Sequence, residues 1–577
     1  MSARHTWAKA LCLLGAALLL AALPASGQTT MLRKRVVVLP VRSSQRDIQT
    51  LAIILATEQA LPRRLNPVSI LSVTGPEEFL RECAENKLPI GSLGRELAAA
   101  RKLGFTHALA ITVSTAFPRF EAQVSIYDTS VDRPEVIQNI LLAGNTLDLL
   151  GFEAALAHKI AVQLGASDTA NLRELTRRSP TMSNPAYLAY YEGLAYLRSR
   201  KYDEALAKFQ KAQELDPQFR DPRAKQGETY REKAGVLMDT NPDEALKLLD
   251  QAIAILQGLG EYRAEAEAYV LQRDIYKAKG DKNNLREATH NAARCYLLIG
   301  YPELADGLLL DLVANDLDDA ETHYIRGLAW LRRRVETQRP NEMALNEFTA
   351  AIERDEMHAE ARYQRALIFK ERARDDAARG EEELANQEFD SAVKDLIVAT
   401  TVNPKWWQAW YELGEVVRLR GNPRDALDYY NQALDVLGQD ARPIDKTLCL
   451  HGKAKALRAA GALEEAAAVL EQAINTTPEH LPPWFELIMV YTELANYDDA
   501  RKWLAKAREQ FSAPKEAAAG GPTFLQVQFN RLERVIAEHE KKKAGEELPR
   551  AHFDPTNPYR FGGRHEIRRP GQKEGEK

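Results

Sequence analysis

Sixteen residues, YDEALAKFQKAQELDP from Tyr202 to Pro217, set the terms for most of this chain. Variants of the stretch return as PRDALDYYNQALDVLG (423–438), LEEAAAVLEQAINTTP (463–478) and YDDARKWLAKAREQFS (497–512). Ala466 and Ala500 lie 34 residues apart, and so do Ala473 and Ala507. Each copy reads as the second of two helices. It opens near an acidic residue and an alanine, and proline often stops it, as at Pro217, Pro404 and Pro478. A small residue recurs where two helices must cross closely. A unit this short buries its apolar stripe only against neighbours, so the copies must stack.

Several offsets recur together. Gly193, Tyr196, Ala205, Phe209, Ala212 and Pro217 mark the first unit, and Trp410, Leu413, Gly414, Ala426, Tyr430 and Ala433 the best one, with Gly438 closing it. Trp484, Leu487, Tyr491, Ala500, Leu504 and Ala507 mark the last. On these residues the chain resembles the tetratricopeptide-repeat family. The resemblance implies a mainly α fold, an α-solenoid of helix-turn-helix hairpins over residues 184–514, with about eight or nine hairpins. The middle is less regular: the unit around Gly227 and Tyr230 needs about six extra residues before Ala245 to keep register. The stretch 375–389 should lengthen another hairpin. A polar end helix is expected at 523–542, since a stack must finish on a solvated face. Residues 545–577, rich in proline, glycine and charge, are expected to have no fold.

The front of the chain follows other rules. Arg4 and Lys9 precede the apolar run Ala10–Leu23, and Ala25 and Gly27 stand where a signal peptidase cuts, so residues 1–27 read as a cleaved secretory signal. The run has 14 residues, short of the roughly 20 that span a bilayer. Cleavage would leave no transmembrane segment and place the protein outside the cytoplasm, in the periplasm or beyond it. Losing Arg4 and Lys9 moves the net charge from −5 to −7, which argues against a nucleic-acid binder. Cys83, Cys295 and Cys449 are too scattered for a zinc site or a disulfide framework and read as buried thiols.

Residues 35–165 mix strand and helix periods in the order βα-βα-βββα, a small α/β domain. Strands are expected at 35–41, 68–73, 106–114, 120–128 and 135–144. A helix from Ile48 should stop at Pro62, two more cover Pro76–Cys83 and Leu93–Leu103, and a last one runs from a cap at Asp148 to Leu164. With VVVLP (36–40), LGFTHALAI (103–111) and YD (127–128), this order resembles the amino-terminal domain of the periplasmic translocation protein TolB and the α/β domain of the curli-secretion lipoprotein family. The resemblance implies an envelope-associated accessory domain. The polar connector 167–185 should separate it from the repeats and leave the two parts to fold independently.

Motifs of chemistry are missing. HEKKK (539–543) and HEIRR (565–569) lack a second histidine, GLGEYR (258–263) lacks a third glycine, and no phosphate loop or GxSxG turn occurs. No catalytic set, metal or cofactor is therefore expected, and the chain reads as a binding scaffold for a protein or peptide partner. The other reading is a subunit of envelope glycan or secretion machinery with activity in the α/β domain. If the family register holds, the fifth position of each first helix faces the concave groove: Tyr190, Tyr324, Tyr363, Tyr411 and Phe485. Seven or eight residues on come Arg198, Arg332, Lys370 and Arg418, and His451 with Arg458 repeats the spacing. Seven residues keep both groups on one helix face, whereas eight drift off it. These rings and cations would hold an extended or helical segment, or the rings only pack neighbouring helices. In WWQAW (406–410), Trp407 and Trp410 read as packing and Trp406 stays open.

Overall fold

The computed structural model describes residues 33–333, 339–511 and 524–543. The expected signal (1–27) and the tail (545–577) lie outside the described residues. The chain divides into two compact units, Met1–Tyr301 and Pro302–Lys577.

The first unit opens with a five-stranded sheet in the order β2-β1-β3-β4-β5. Its strands are β1 (Lys34–Val38), β2 (Leu71–Thr74), β3 (His107–Ala116), β4 (Arg119–Asp128) and β5 (Glu135–Asn145). β1 pairs in parallel with β2 and β3, while β3–β4 and β4–β5 are antiparallel. The unbroken apolar run of β1 has a simple cause, because both of its faces are covered. Val36 and Val38 join one core with helices α1 (Ile48–Leu65) and α4 (Leu149–Gln163). Val37 and Leu39 join the other with α2 (Pro76–Glu85) and α3 (Leu93–Lys102). The Asp47 carboxylate caps α1 by accepting from the Thr50 backbone N–H, and Asp148 caps α4 through the Gly151 N–H.

Two expectations need correcting. Helix α1 does not stop at Pro62 but runs on to Leu65. Leu61, Arg64 and Leu65 are all buried, and that packing outweighs the backbone bond the proline forfeits. The connector 167–185 is not an open linker either. It forms α5 (Ala170–Arg177), whose Leu172 and Thr176 are buried. Arg64 reaches from α1 to donate to the Thr176 carbonyl at 2.8 Å. One apolar core holds Val36, Leu109 and Ile160 together with Tyr187, Tyr191 and Phe209 of the first repeat. Sheet and first repeat thus share one apolar core.

The first repeat pairs α6 (Asn184–Arg198) with α7 (Tyr202–Leu215). Gly193 is needed there because a Cβ would sit 2.6 Å from the Phe209 ring. Two further hairpins complete the unit: α8 (Asp221–Leu237) with α9 (Pro242–Leu259), and α10 (Tyr262–Lys279) with α11 (Lys282–Leu298). In the second unit α12 (Pro302–Ala314) packs on α13 (Ala320–Arg332), which pairs with α14 (Arg339–Arg354). Four more hairpins follow: α15 (Ala359–Arg379) with α16 (Glu382–Val402), α17 (Trp407–Leu419) with α18 (Pro423–Leu437), α19 (Pro443–Ala459) with α20 (Leu463–Thr476), and α21 (Pro482–Glu493) with α22 (Tyr497–Gln510). Eight hairpins lie among the described residues. The insert at 375–389 lengthens α15 and α16 to 21 residues each. The end helix α23 (Phe524–Lys543) turns Phe529, Leu532, Val535 and Ile536 into the last repeat's core. Cys83, Cys295 and Cys449 are buried and free.

Candidate partner-binding face

In the second unit the first helices of consecutive repeats touch one another, α15 on α17, α17 on α19 and α19 on α21. The second helices approach each other less closely, so these four first helices line the inner side of the row. The side chains they carry along it are rings and charges.

The rings fall into two groups. Tyr190 is 4% exposed, wedged among Tyr191, Phe209 and Phe219, and Phe485 is 8% exposed, edge-on to Phe529 of the end helix. Both are packing residues, a correction to their expected place on a binding surface, because the elements that close the stack cover them. Tyr324, Tyr363 and Tyr411 remain half-buried. Tyr324 lies near His358 and Phe348. Tyr363 sits 4.5 Å, centroid to centroid, from Trp406, giving that tryptophan a place on the same face. Tyr411 leans on Trp407 and Tyr430. Trp410 belongs to the repeat's own architecture: its indole N–H donates to the Pro404 carbonyl, as that of Trp484 does to Pro478, six residues back in each case.

The cations that follow the rings at seven residues are all engaged. Lys370 meets Glu412 of the next repeat at 2.6 Å. Arg418 meets Glu415 at 3.0 Å, and Lys455 of the following repeat reaches the same carboxylate at 3.1 Å. Arg458 holds Glu486 at 2.7 Å and also pairs with Glu493. The result is a ladder of ion pairs stitching α15 to α17, α17 to α19 and α19 to α21. Burial alone would raise Glu415, but Lys455 and Arg418, with the Tyr430 hydroxyl donating at 2.6 Å, hold it well below the usual carboxylate range. Arg418 and Arg458 are raised in turn: burial opposes the shift, and the carboxylates overcome it. His451, in the middle of the ladder, is pushed down to about 3 by burial and by Lys455, so it stays neutral at ordinary pH.

The eight-residue spacings end elsewhere. Arg198 is exposed at the end of α6, and Arg332 is half-buried, its pKa drawn down by that burial. Lys455 and Glu493 were not singled out from the sequence. Lys455 had a signal, lying four residues after His451 and three before Arg458 on one helix face. Glu493 had none, because its partner comes from another repeat. Tyr430 also takes on a second role: its ring lies so close to Gly414 and Gly452 that a Cβ would stand 3.0 and 2.5 Å from it.

Stacked helical hairpins with matched small and aromatic residues define a repeat protein whose surface is its working part. The chain carries tetratricopeptide repeats: models of that repeat match residues 186–219, 377–443 and 457–519. Such repeats make it a scaffold for protein–protein interaction. The small glutamine-rich tetratricopeptide repeat-containing protein 2 of Saccharomyces cerevisiae is 29% identical over 125 residues, 22% of this chain and 32% of that protein, so the match spans about a third of the relative's length. The solved structure of pilF from Pseudomonas aeruginosa is 16% identical with a TM-score of 0.32, covering 44% of this chain and 99% of that one. A tetratricopeptide repeat protein from Parabacteroides merdae is 14% identical with a TM-score of 0.32, covering 50% and 98%. Among the described residues no helix is long and apolar enough to cross a membrane, and no cluster of histidine, cysteine and carboxylate side chains is arranged to hold a metal.

Proposed function

We propose that this is an exported scaffold of the bacterial envelope that holds a helical or extended segment of a partner protein on the inner face of residues 359–493. The reading of export rests on the basic start, short apolar run and small residues of 1–27. The reading of the site rests on one observation: Tyr363, Trp406 and Tyr411 stand half-exposed beside a ladder of cations already paired with carboxylates. Tyrosine and tryptophan supply binding energy at interfaces with little loss of side-chain freedom. The paired charges bear on the partner's character. An acidic segment would have to displace carboxylates already in place, so the favoured ligand carries both signs and exchanges partners along the ladder.

Partners captured from envelope extract by the mature chain should be lost with Tyr363→Ala and Tyr411→Ala together. The expected loss is more than about 1 kcal/mol of binding, with the thermal midpoint falling by less than the binding does. Unchanged affinity, or a stability loss that matches the binding loss, would return both rings to helix packing. Amino-terminal sequencing of exported protein should begin at Gln28; a retained Met1 or a cytosolic pool would sink the export reading.

A further inference from the structure

The sheet of the first unit has two edges, and they are built differently. β2, at one edge, is four residues long, which is one way proteins blunt an edge. β5, at the other, runs for eleven residues and, among the described residues, pairs with β4 alone. It carries neither lysine nor proline, and its single charge is Glu135 at the start. The bulge opposite Ile126/Tyr127 lies at that same end. From Gln138 to Asn145 the strand is regular, uncharged and without any of the usual protections.

Backbone parity shows what this edge offers. The Thr146 N–H bonds the Pro118 carbonyl in the register that also pairs Gly144 with Phe120 and Ile140 with Val124. Even-numbered residues therefore bond β4, and the N–H and C=O groups of Asn139, Leu141 and Ala143 point to the free edge. The side chain of Leu141 is 61% exposed.

We propose that β5 is where two copies of this chain associate, by antiparallel pairing of Gln138–Gly144 with itself about Leu141. A twofold contact lays the strand on its own reversed copy, so a charge on it would face an uncharged residue or, at the centre, its own like. This stretch holds none. Centred on Leu141, the pairing sets Leu141 against Leu141 of the other copy, Ile140 against Leu142 and Asn139 against Ala143. At the centre apolar side chains meet apolar ones, and the outward backbone groups of the odd residues find partners. The two sheets then continue as one of ten strands.

Sedimentation velocity of the full chain over micromolar concentrations should show a reversible dimer. Leu141→Lys places two ammonium groups across the twofold and removes the leucine contact, and should weaken the dimer by at least about tenfold. Leu141→Cys should form a disulfide-linked dimer on mild oxidation, because directly opposed residues in such a pair sit at the Cα separation a disulfide needs. Ile397→Cys, also exposed to solvent but in the second unit, should not. The wild-type chain controls for its own cysteines. A chain that stays monomeric, or one whose dimer survives Leu141→Lys while Leu141→Cys fails to cross-link, would overturn the proposal. Should Leu141→Lys not fold, the cysteine pair decides alone.

Discussion

Tyr190 and Tyr411 occupy the same place in their repeats and meet opposite fates. Tyr190 is sealed among aromatic neighbours in the core that joins the first repeat to the sheet, while Tyr411 stays half-open on the inner face. The same contrast separates their charges. Around the first repeat, Arg64 and Glu153 pair at 3.2 Å with side chains 2% and 1% exposed, and Tyr187 donates to the same carboxylate at 2.8 Å. On the inner face of the second unit, carboxylates and cations pair just as closely but keep 11–30% of their side chains in reach of solvent at Arg458, Glu486 and Glu493. A repeat position fixes which way a side chain points. What covers it decides whether it is mortar or surface.

The sealed pair should give the largest effect. Arg64→Ala leaves the Glu153 carboxylate buried without its cation and takes a donor from the Thr176 carbonyl. A loss of about 3–5 kcal/mol in urea unfolding is expected. A loss under about 1 kcal/mol would mean the seam between sheet and repeat relaxes as readily as a surface does.

That seam also marks where sequence reasoning ran out. Every strand and helix of the sheet domain was legible from its apolar period and its stops, to within a few residues. Glycine–aromatic offsets such as Gly193 with Phe209 made the hairpins legible too. The connector was not, because α5 buries only Leu172 and Thr176 and its remaining face is as polar as a linker. Nor does anything local in Arg64 reveal that it meets Glu153 and Thr176, far along the chain. For the inner face the cations at 370, 418 and 458 were legible from seven-residue spacing, whereas the pairing of Lys370, Lys455 and Arg458 with carboxylates of neighbouring repeats depends on how repeats stack.

Next in size is a difference in pH dependence. Burial pushes Glu153 up to about 7 against the pull of Arg64, and burial also raises Glu265 to about 7 against the Cys295 thiol, which lowers it. A carboxyl raised by folding binds its proton more readily folded than unfolded. Its contribution is fully present below the ordinary value of 4.5 and is lost as pH rises through about 7. Glu415, held low by its cations, does the reverse: its contribution is present above the ordinary value and is lost as pH falls below it. Between pH 7 and 5, therefore, the first unit should gain on the order of 2 kcal/mol from each of these two carboxyls while the Glu415 cluster changes little. Urea unfolding of the full chain at several pH values, followed by hydrogen exchange to resolve the two units, measures this. Glu153→Gln with Glu265→Gln should flatten the slope; a slope that persists would place the titrating groups elsewhere.

The smallest effects test whether the ladder is structural glue or reachable surface. Arg458 holds two carboxylates of the next repeat and is largely buried, so Arg458→Ala should cost about 1.5 kcal/mol, below Arg64→Ala because Glu493 can turn to water. Arg374 pairs with Glu371 within α15, and both side chains are about half exposed, so Arg374→Ala should change stability by less than about 0.5 kcal/mol. Raising the salt concentration should shrink even that difference, since exposed pairs are screened, and leave the Arg458 effect nearly intact. If instead Arg458→Ala behaves like Arg374→Ala and fades in salt, the ladder is loosely held. Its cations would then be free to leave their carboxylates for a partner at little cost, which would open the face to the acidic ligand that the paired geometry disfavours.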